Sequence, residues 1–192
     1  MNIRLTFLLV AVLIIFGGTF LVIQFTRTEE TPLTQPWLYK IDDNSIVHIE
    51  VSNSGQKAVY DKRPGSTCWF IVEGDQRLPV YLKKWSGSPL LLSGPRVNRK
   101  LGDTIEDPAQ YGLEPPLSVI RVTERSNIVY EFHIGSVTPD GENQYTRLVG
   151  SPALFTVPQI WAGVINRLAL EPPYLPPPEE LEGETNYVCG GP

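Results

Sequence analysis

The stretch of sequence that decides the fold is residues 46–72, which read IVHIEVSNSGQKAVYDKRPGSTCWFIV. Apolar and polar residues alternate over 46–51, as they do in a strand with one buried face. Turn residues at 52–55 and 62–65 divide the stretch into three strand-like runs. Three short antiparallel strands with one apolar face are the smallest sheet that is stable on its own, so this stretch predicts a β-meander.

A second meander is predicted after a proline-rich loop at 103–116. Its strand-like runs are 117–123, 128–134, 144–149 and 153–157. Pro158 suits the first position of a helix, and the apolar residues of 160–168 recur at helical spacing. A short helical segment at 80–85 lies between the two meanders. The sequence therefore predicts an α+β, mainly β fold with one C-terminal helix packed on the sheet.

The N-terminal residues predict a transmembrane helix. Residues 5–25 contain no charged side chain, and at about 1.5 Å per residue they span roughly 30 Å, the thickness of the hydrocarbon core. A cleaved signal peptide is the alternative, but its apolar region is shorter, and residues 24–27 make a poor cleavage site. The slight charge bias predicts a single pass through a cytoplasmic-type inner membrane, with the N-terminus in the cytoplasm and the domain outside it.

The chain is thus predicted to have four parts. They are a transmembrane anchor at 1–27, a linker at 28–40, a β-rich extracytoplasmic domain at 41–170 and a Pro-rich extended tail at 171–192. Trp37 and Tyr39 end the linker, and this aromatic pair either lies at the membrane interface or starts the domain.

The distribution of charge argues against two classes of partner. The chain has a formal net charge of −5, and the part after residue 27 carries 14 basic and 21 acidic side chains, a net charge of −7. A nucleic-acid binder needs a basic face to neutralise phosphates, and peripheral docking on anionic lipid needs one too. The acidity therefore argues against both and favours a role in solubility.

The two cysteines leave two readings open. Cys68 lies in a strand-like run, where a free cysteine behaves as a small buried hydrophobe, and this reading is favoured. The alternative is a bridge to Cys189 in the tail, which an oxidising compartment permits. Two cysteines are too few for a disulfide scaffold, and no CxxC spacing suggests metal or redox chemistry.

The sequence shows no recognisable set of catalytic residues. His48 and His133 each lie inside a strand-like run, and with no third ligand evident they favour exposed strand positions over a metal site. Carboxylates occur in turn-like contexts, where Asp hydrogen-bonds its own backbone, at Asp42, Asp43, Glu106, Asp107, Asp140 and Glu142. We therefore expect no enzyme activity and no cofactor.

The candidate binding residues are aromatic side chains and prolines. Trp69, Trp85 and Tyr111 present faces that suit a sugar-binding groove, although packing in the core is the favoured alternative for them. In the tail, Pro176, Pro177 and Pro178 predict an extended segment able to lie along a partner; they join Trp85 and Tyr111 as candidate binding residues.

One loop carries a family resemblance. Residues 107–116 read DPAQYGLEPP, and together with the tryptophan strand at 69–71, the Ile-Gly at 134–135 and the Tyr-x-Arg at 145–147 they resemble bacterial domain-of-unknown-function family 4340. The resemblance covers roughly 41–170 in order and spacing. It implies an envelope-associated β-rich domain behind a membrane helix or lipid anchor, with some members beside transporter components of the gliding-motility type. No catalytic residue comes with it.

The loop residues also have a physical reading that needs no chemistry. Gly112 has no side chain and can adopt a positive φ that Tyr111 and Leu113 avoid. A turn at Gly112 would then direct Tyr111 and Leu113 to pack against the face of the sheet. Gly135 marks a bulge or a close backbone contact. Residues 85–95 depart from the generic family pattern.

The expected function is that of a non-enzymatic, membrane-anchored accessory or scaffold subunit of a bacterial membrane protein complex. The alternative is a free-standing cell-envelope binding module for a glycan, peptide or lipid. The membrane and other complex subunits are the expected partners, and nucleic acid is not.

Overall fold

Nine antiparallel strands form one sheet in the computed structural model, which describes residues 36–85, 87–181 and 187–189. The strands are β1 Ile46–Asn53, β2 Gln56–Lys62, β3 Trp69–Glu73, β4 Gln76–Pro79, β5 Arg99–Gly102, β6 Ser118–Glu124, β7 Val129–Val137, β8 Asn143–Leu148 and β9 Leu154–Pro158. Their order across the sheet is β4-β3-β2-β1-β6-β7-β8-β9-β5. The prediction of a mainly β fold is confirmed.

The two predicted meanders are both present in this sheet; the first has one strand more than predicted, β4, and β5 lies outside both, at the edge beside β9. Strands β1 to β4 follow one another as hairpins, and so do β6 to β9. The meanders join where β1 pairs with β6, with Ile49 opposite Val122 and Val51 opposite Ile120. All four of these side chains are fully buried, so the junction lies in the core.

Helices are few. They are α1 Leu82–Trp85, α2 Ser88–Ser93 and α3 Gln159–Leu170, and three 3-10 turns lie at Asp43–Ser45, Pro108–Tyr111 and Pro178–Leu181. The helix predicted after Pro158 is α3, and it packs against β1, β2, β8 and β9. Its buried side chains include Ile165 and Leu168, and the hydroxyl of Tyr60 on β2 donates a hydrogen bond to the carbonyl of Leu168 at 2.5 Å. One face of the sheet is thereby closed by α3.

Two residues near the start of the described domain belong to the core. Leu38 and Tyr39 are buried, and Tyr39 donates a hydrogen bond from its hydroxyl to the carbonyl of Leu92 at 2.6 Å. The domain therefore begins before residue 41, and the last residues of the predicted linker, 28–40, are part of it. Of the two readings for the aromatic pair, Tyr39 starts the domain.

The predicted transmembrane anchor at 1–27 lies outside the described residues. Within the part of the chain that is described, no helix has both the length and the apolarity needed to cross a bilayer.

A disulfide ties the end of the tail to the sheet. Cys68, just before β3, is bonded to Cys189, 121 residues further along the chain, with a Cα–Cα distance of 5.3 Å. The favoured reading of Cys68 as a free buried thiol was therefore wrong, and the alternative pairing is present. Its side chain is nevertheless buried, as expected.

Candidate functional site

The tryptophans that were candidates for a groove lie in the core. Trp85 is 4% exposed, and its ring centroid lies 4.7 Å from that of Tyr60 and 5.3 Å from that of Trp69, which is also buried. These tilted contacts are typical of aromatic side chains in a packed core. The favoured alternative of core packing is confirmed for Trp69 and Trp85.

Tyr111 lies on a loop that covers one end of the sheet. Its ring centroid is 4.9 Å from that of Tyr145, and Leu113 beside it is fully buried. Gly112 has φ +65°, as predicted, and a Cβ there would lie 2.8 Å from the backbone nitrogen of Ser136. The predicted close contact at Gly135 is also present, since a Cβ there would lie 2.1 Å from the carbonyl oxygen of Tyr111. The candidate binding role of Tyr111 stays a prediction.

The predicted proline residues stand at the surface, between two points where the tail is attached. Upstream, the carbonyl of Pro173 accepts a hydrogen bond of 2.8 Å from the backbone N–H of Tyr81. Downstream, the carbonyl of Tyr187 accepts one of 3.0 Å from the N–H of Leu82, and the disulfide lies two residues further on. We call residues 175–178 the proline ridge; Leu175, Pro177 and Pro178 are exposed and Pro176 is half-buried.

The face of the sheet opposite α3 carries a row of paired charges. Except on β4, these residues alternate with buried ones along their strands. We call them the charge ladder; they are Arg77, Asp61, His48, Glu50, Lys57, Arg121, Glu131, His133 and Arg147. The shortest contacts join His48 Nδ1 to Asp61 Oδ1 and Arg121 Nε to Glu131 Oε2, both at 2.6 Å. Each carboxylate of the ladder faces at least one cationic or imidazole partner.

The two histidines of the ladder are held by hydrogen bonds. Arg147 donates from Nε to Nδ1 of His133 at 3.2 Å, so the proton of a neutral His133 ring is on Nε2, which faces Glu131 at 2.9 Å. His48 faces carboxylates with both ring nitrogens, at 2.6 Å to Asp61 and 3.2 Å to Glu50. Both histidines lie in strands, as predicted, but they are half-buried on the sheet face rather than exposed.

Glu50 is the carboxylate with the most strongly perturbed pKa in the ladder. The hydrogen bond from Lys57, at 2.9 Å, is the largest cause, and with His48 it outweighs partial burial and lowers the pKa of Glu50 from 4.5 to about 2. Burial raises the pKa of Glu131, but hydrogen bonds from Arg121 and His133 reverse the sign and lower it overall. The ladder therefore stabilises the ionised forms of Glu50 and Glu131.

The lowered pKa of Glu50 predicts how the stability of the domain depends on pH. Because the folded-state pKa of Glu50 is depressed, its contribution is present above its ordinary pKa of 4.5 and is lost as pH falls towards 2. We expect Glu50→Gln to cost about 1–2 kcal/mol at neutral pH, less than the full shift implies because the pair is partly solvated. The destabilisation caused by Glu50→Gln should disappear near pH 2, where Glu50 of the native chain is becoming protonated as well. Thermal unfolding across pH measures it, with the exposed Glu142→Gln as control; equal pH profiles for Glu50→Gln and the native chain would contradict it.

The carboxylates that were predicted to serve turns do so at three positions. Asp42 accepts from the backbone N–H of Asn44 at 2.9 Å, Asp107 from that of Ala109 at 3.1 Å, and Asp140 from that of Glu142 at 3.0 Å. Among the residues described, no three or more His, Cys, Asp or Glu side chains form a group that could hold a metal ion.

A hollow of about 440 Å³ opens between three segments that are distant in sequence. We call it the Trp37 surface, and its principal residues are Trp37, Lys40, Ile41, Leu90, Leu91 and Arg96. Trp161 of α3 completes the wall and donates a hydrogen bond from Nε1 to the carbonyl of Leu91 at 3.3 Å. Leu90 is 65% exposed, and Ile160, beside Trp161 in the chain, is 85% exposed.

The indole of Trp37 contacts the backbone at Gly94 and the cationic side chains of Lys40 and Arg96. A Cβ on Gly94 would lie 2.9 Å from the ring, so the missing side chain there lets the ring lie against the chain. Lys40 Nζ is 5.4 Å and the Arg96 guanidinium 4.6 Å from the ring centroid, within range of cation–π attraction. Trp37 as a whole residue nevertheless stays 38% exposed. Sequence reasoning singled out Trp37 but not the partners that make it a site.

No family model, no curated protein and no solved structure matches the chain. The resemblance to domain family 4340 therefore stays an expectation from the sequence.

Proposed function

We propose that this chain is a non-enzymatic, membrane-anchored accessory subunit of a bacterial membrane protein complex, presenting its β-rich domain outside the cytoplasm. The observation that carries the proposal is the proline ridge: an exposed segment fastened at both ends to its own domain. Proline-rich segments bind grooves lined with aromatic side chains, and they lose little entropy because their backbone is already restricted. Attachment at both ends reduces that loss further.

The disulfide supports the proposed compartment. Bonds of this kind persist in oxidising environments, such as the bacterial periplasm, and are rare where thiols are kept reduced. An extracytoplasmic domain behind the apolar segment 5–25 agrees with the pairing of Cys68 and Cys189. The resemblance to domain family 4340 points to the same envelope location.

The ladder supports a role without catalysis. Its carboxylates are paired with Lys57, Arg77 or Arg121 across the strands, which is an arrangement that stabilises a sheet. A general acid needs a carboxyl whose pKa is raised, whereas the shifts of Glu50 and Glu131 are downward.

The test is a variant of the proline ridge that leaves its attachments intact. Deleting 171–192 would also remove Cys189, so its effect would mix binding with folding. We instead expect the triple variant Pro176→Ala, Pro177→Ala, Pro178→Ala to lose about tenfold or more of a stoichiometric partner, because the restricted backbone is lost. Mild-detergent purification of the full-length chain, with mass spectrometry of the size-exclusion peak, measures the partner.

A matched control replaces exposed prolines in turns elsewhere, Pro64→Ala with Pro139→Ala. We expect this variant to retain the partner. Equal retention in the ridge variant, or a native chain that elutes alone, would contradict the proposal.

The alternative of an envelope binding module has one observation in its favour. The hollow at the Trp37 surface is within the size range of small-molecule sites, roughly 300–1,000 Å³. It offers one exposed indole, as such a module requires, and its charged groups are the two cations, Lys40 and Arg96.

A further inference from the structure

The Trp37 surface combines the three side-chain types that a bilayer interface accepts. Its apolar part is formed by Leu90 and Leu91 with Ile160 nearby, its indole is that of Trp37, and its cations are Lys40 and Arg96. Indole rings favour the headgroup level of a membrane, and lysine and arginine beside them reach lipid phosphates. We propose that the Trp37 surface docks on the headgroup region of the lipid bilayer, with Trp37 inserted between phosphates that Lys40 and Arg96 bind.

The charges of this surface are available to a ligand. In the described part of the chain, Lys40 and Arg96 contact the face of Trp37 and are not paired with a carboxylate. The cations of the charge ladder, by contrast, are each engaged with acidic or imidazole partners. Asp42, next to Ile41, is turned towards the backbone of Asn44. The charged side chains that line this surface are both cationic, although the domain as a whole is acidic.

The position of the surface along the chain selects lipid over other anionic partners. The strand-like bridge between Trp37 and Arg96 lies at the point where the described domain begins. Only residues 26–36 separate the apolar segment 5–25 from Trp37, and at about 3.5 Å per residue they reach at most roughly 40 Å. If that segment spans the membrane, as its sequence predicts, Trp37 remains within that distance of the bilayer. The docking thus requires the predicted anchor but no partner complex.

The docking also corrects an expectation from composition. A net charge of −7 after residue 27 argues against a free protein binding anionic lipid. An anchored domain needs no long-range attraction, because the linker already supplies a high local concentration of lipid. Local contacts at Lys40, Arg96 and Trp37 then decide which end of the domain faces the bilayer.

Tryptophan fluorescence tests the proposal on the full-length chain. The four tryptophans are at 37, 69, 85 and 161, so the apolar segment contributes no indole emission. Full-length protein is reconstituted into liposomes of phosphatidylcholine, brominated near the headgroup end of the acyl chains, with a minor fraction of phosphatidylglycerol. We expect the brominated lipid to quench part of the emission, and the Trp37→Phe variant to lose that part.

The charge requirement has its own variants. Lys40→Glu with Arg96→Glu should reduce the lipid quenching by about half or more, since each cation near an anionic surface contributes measurably to binding. Arg99→Glu with Arg125→Glu makes the same change in net charge away from the surface and should leave the quenching unchanged. Thermal unfolding of each variant shows that the fold is retained.

Three outcomes would overturn the proposal. In the first, brominated lipid does not quench the tryptophan emission, while aqueous acrylamide quenches Trp37 in the same liposomes. Another is protection of Trp37 from acrylamide in native membranes but not in liposomes, which would assign the surface to a protein partner. The third is a full-length chain that fails to float with the liposomes, which would remove the anchor on which the proposal rests.

Discussion

Removing the Cys68–Cys189 disulfide is expected to lower the free energy of unfolding by about 3–5 kcal/mol, or roughly 10 °C in melting temperature. The bond closes a loop of 121 residues, which includes most of the sheet. A cross-link over so long a loop removes much conformational entropy from the unfolded chain, and this is where most of its stabilisation comes from in the chain-entropy model.

The bond also maintains contacts in the folded state. Helix α1 is a single turn, and Leu82 at its start donates its backbone N–H to the carbonyl of Tyr187. The N–H groups in the first turn of a helix have no partner within the helix, so the tail supplies one. Without the disulfide, Tyr187 is no longer held near α1. The hydrogen bond to Leu82 is then weakened, which destabilises α1 and the packing of the buried Trp85.

The measurement compares three samples by thermal unfolding: the native chain, the native chain under reducing conditions, and the double variant Cys68→Ala, Cys189→Ala. The last two should agree within about 1 kcal/mol, because both lack the bond. Thiol titration of the denatured, unreduced native chain should find no free thiol. Two free thiols, or a melting temperature that reduction leaves unchanged, would show that the tail is not linked in this way.

Local patterns were enough to predict most strands but not how they join. The alternation in β1 and β6 marks each as a strand with one buried face. Their pairing joins residues about 70 positions apart, and no turn between them sets the register, whereas a hairpin is set by its loop. Strands β4 and β5 have four residues each and little apolar content, so only their neighbours in the sheet define them as strands.

Most of the site geometry could not be predicted from the sequence, because it depends on the pairing of strands that are far apart in the chain. The outward positions of His48 and His133 were predicted from alternation, but the charge ladder depends on which strands pair. The Trp37 surface brings together residues near 37, 90, 96 and 161, and each of these segments reads alone as loop or helix end. Gly112 and Gly135 were readable because glycine in a tight turn or a strand usually meets a need for positive φ or for close backbone approach.

Gly135→Ala is expected to destabilise the domain by about 3 kcal/mol or more, the second large effect. The new Cβ would lie 2.1 Å from the carbonyl oxygen of Tyr111 and 2.9 Å from the backbone of Gly112. Both contacts are with main chain, which cannot rotate away as a side chain can. The strain is relieved only if the loop lifts from β7, and that exposes Leu113, which is fully buried.

Thermal unfolding of Gly135→Ala measures the effect, and the chain offers a matched control. Gly163 lies in α3, and a Cβ there would meet nothing within 4 Å. Gly163→Ala should therefore raise stability by about 0.5–1 kcal/mol, because alanine favours a helix. Hydrogen exchange gives a second readout, since the N–H of Leu113 bonds the carbonyl of Pro108 at 3.0 Å and should lose protection only in Gly135→Ala.

The outcome also bears on why the loop 107–116 has its distinctive sequence. If Gly135→Ala unfolds early and the amide of Leu113 exchanges faster, close packing of two backbones accounts for Gly112 and Gly135 together, without a ligand. Tyr111 then serves mainly to hold the loop down through its contact with Tyr145. If Gly135→Ala is as stable as the native chain, the loop does not pack on β7, and a binding role becomes the better reason for Tyr111.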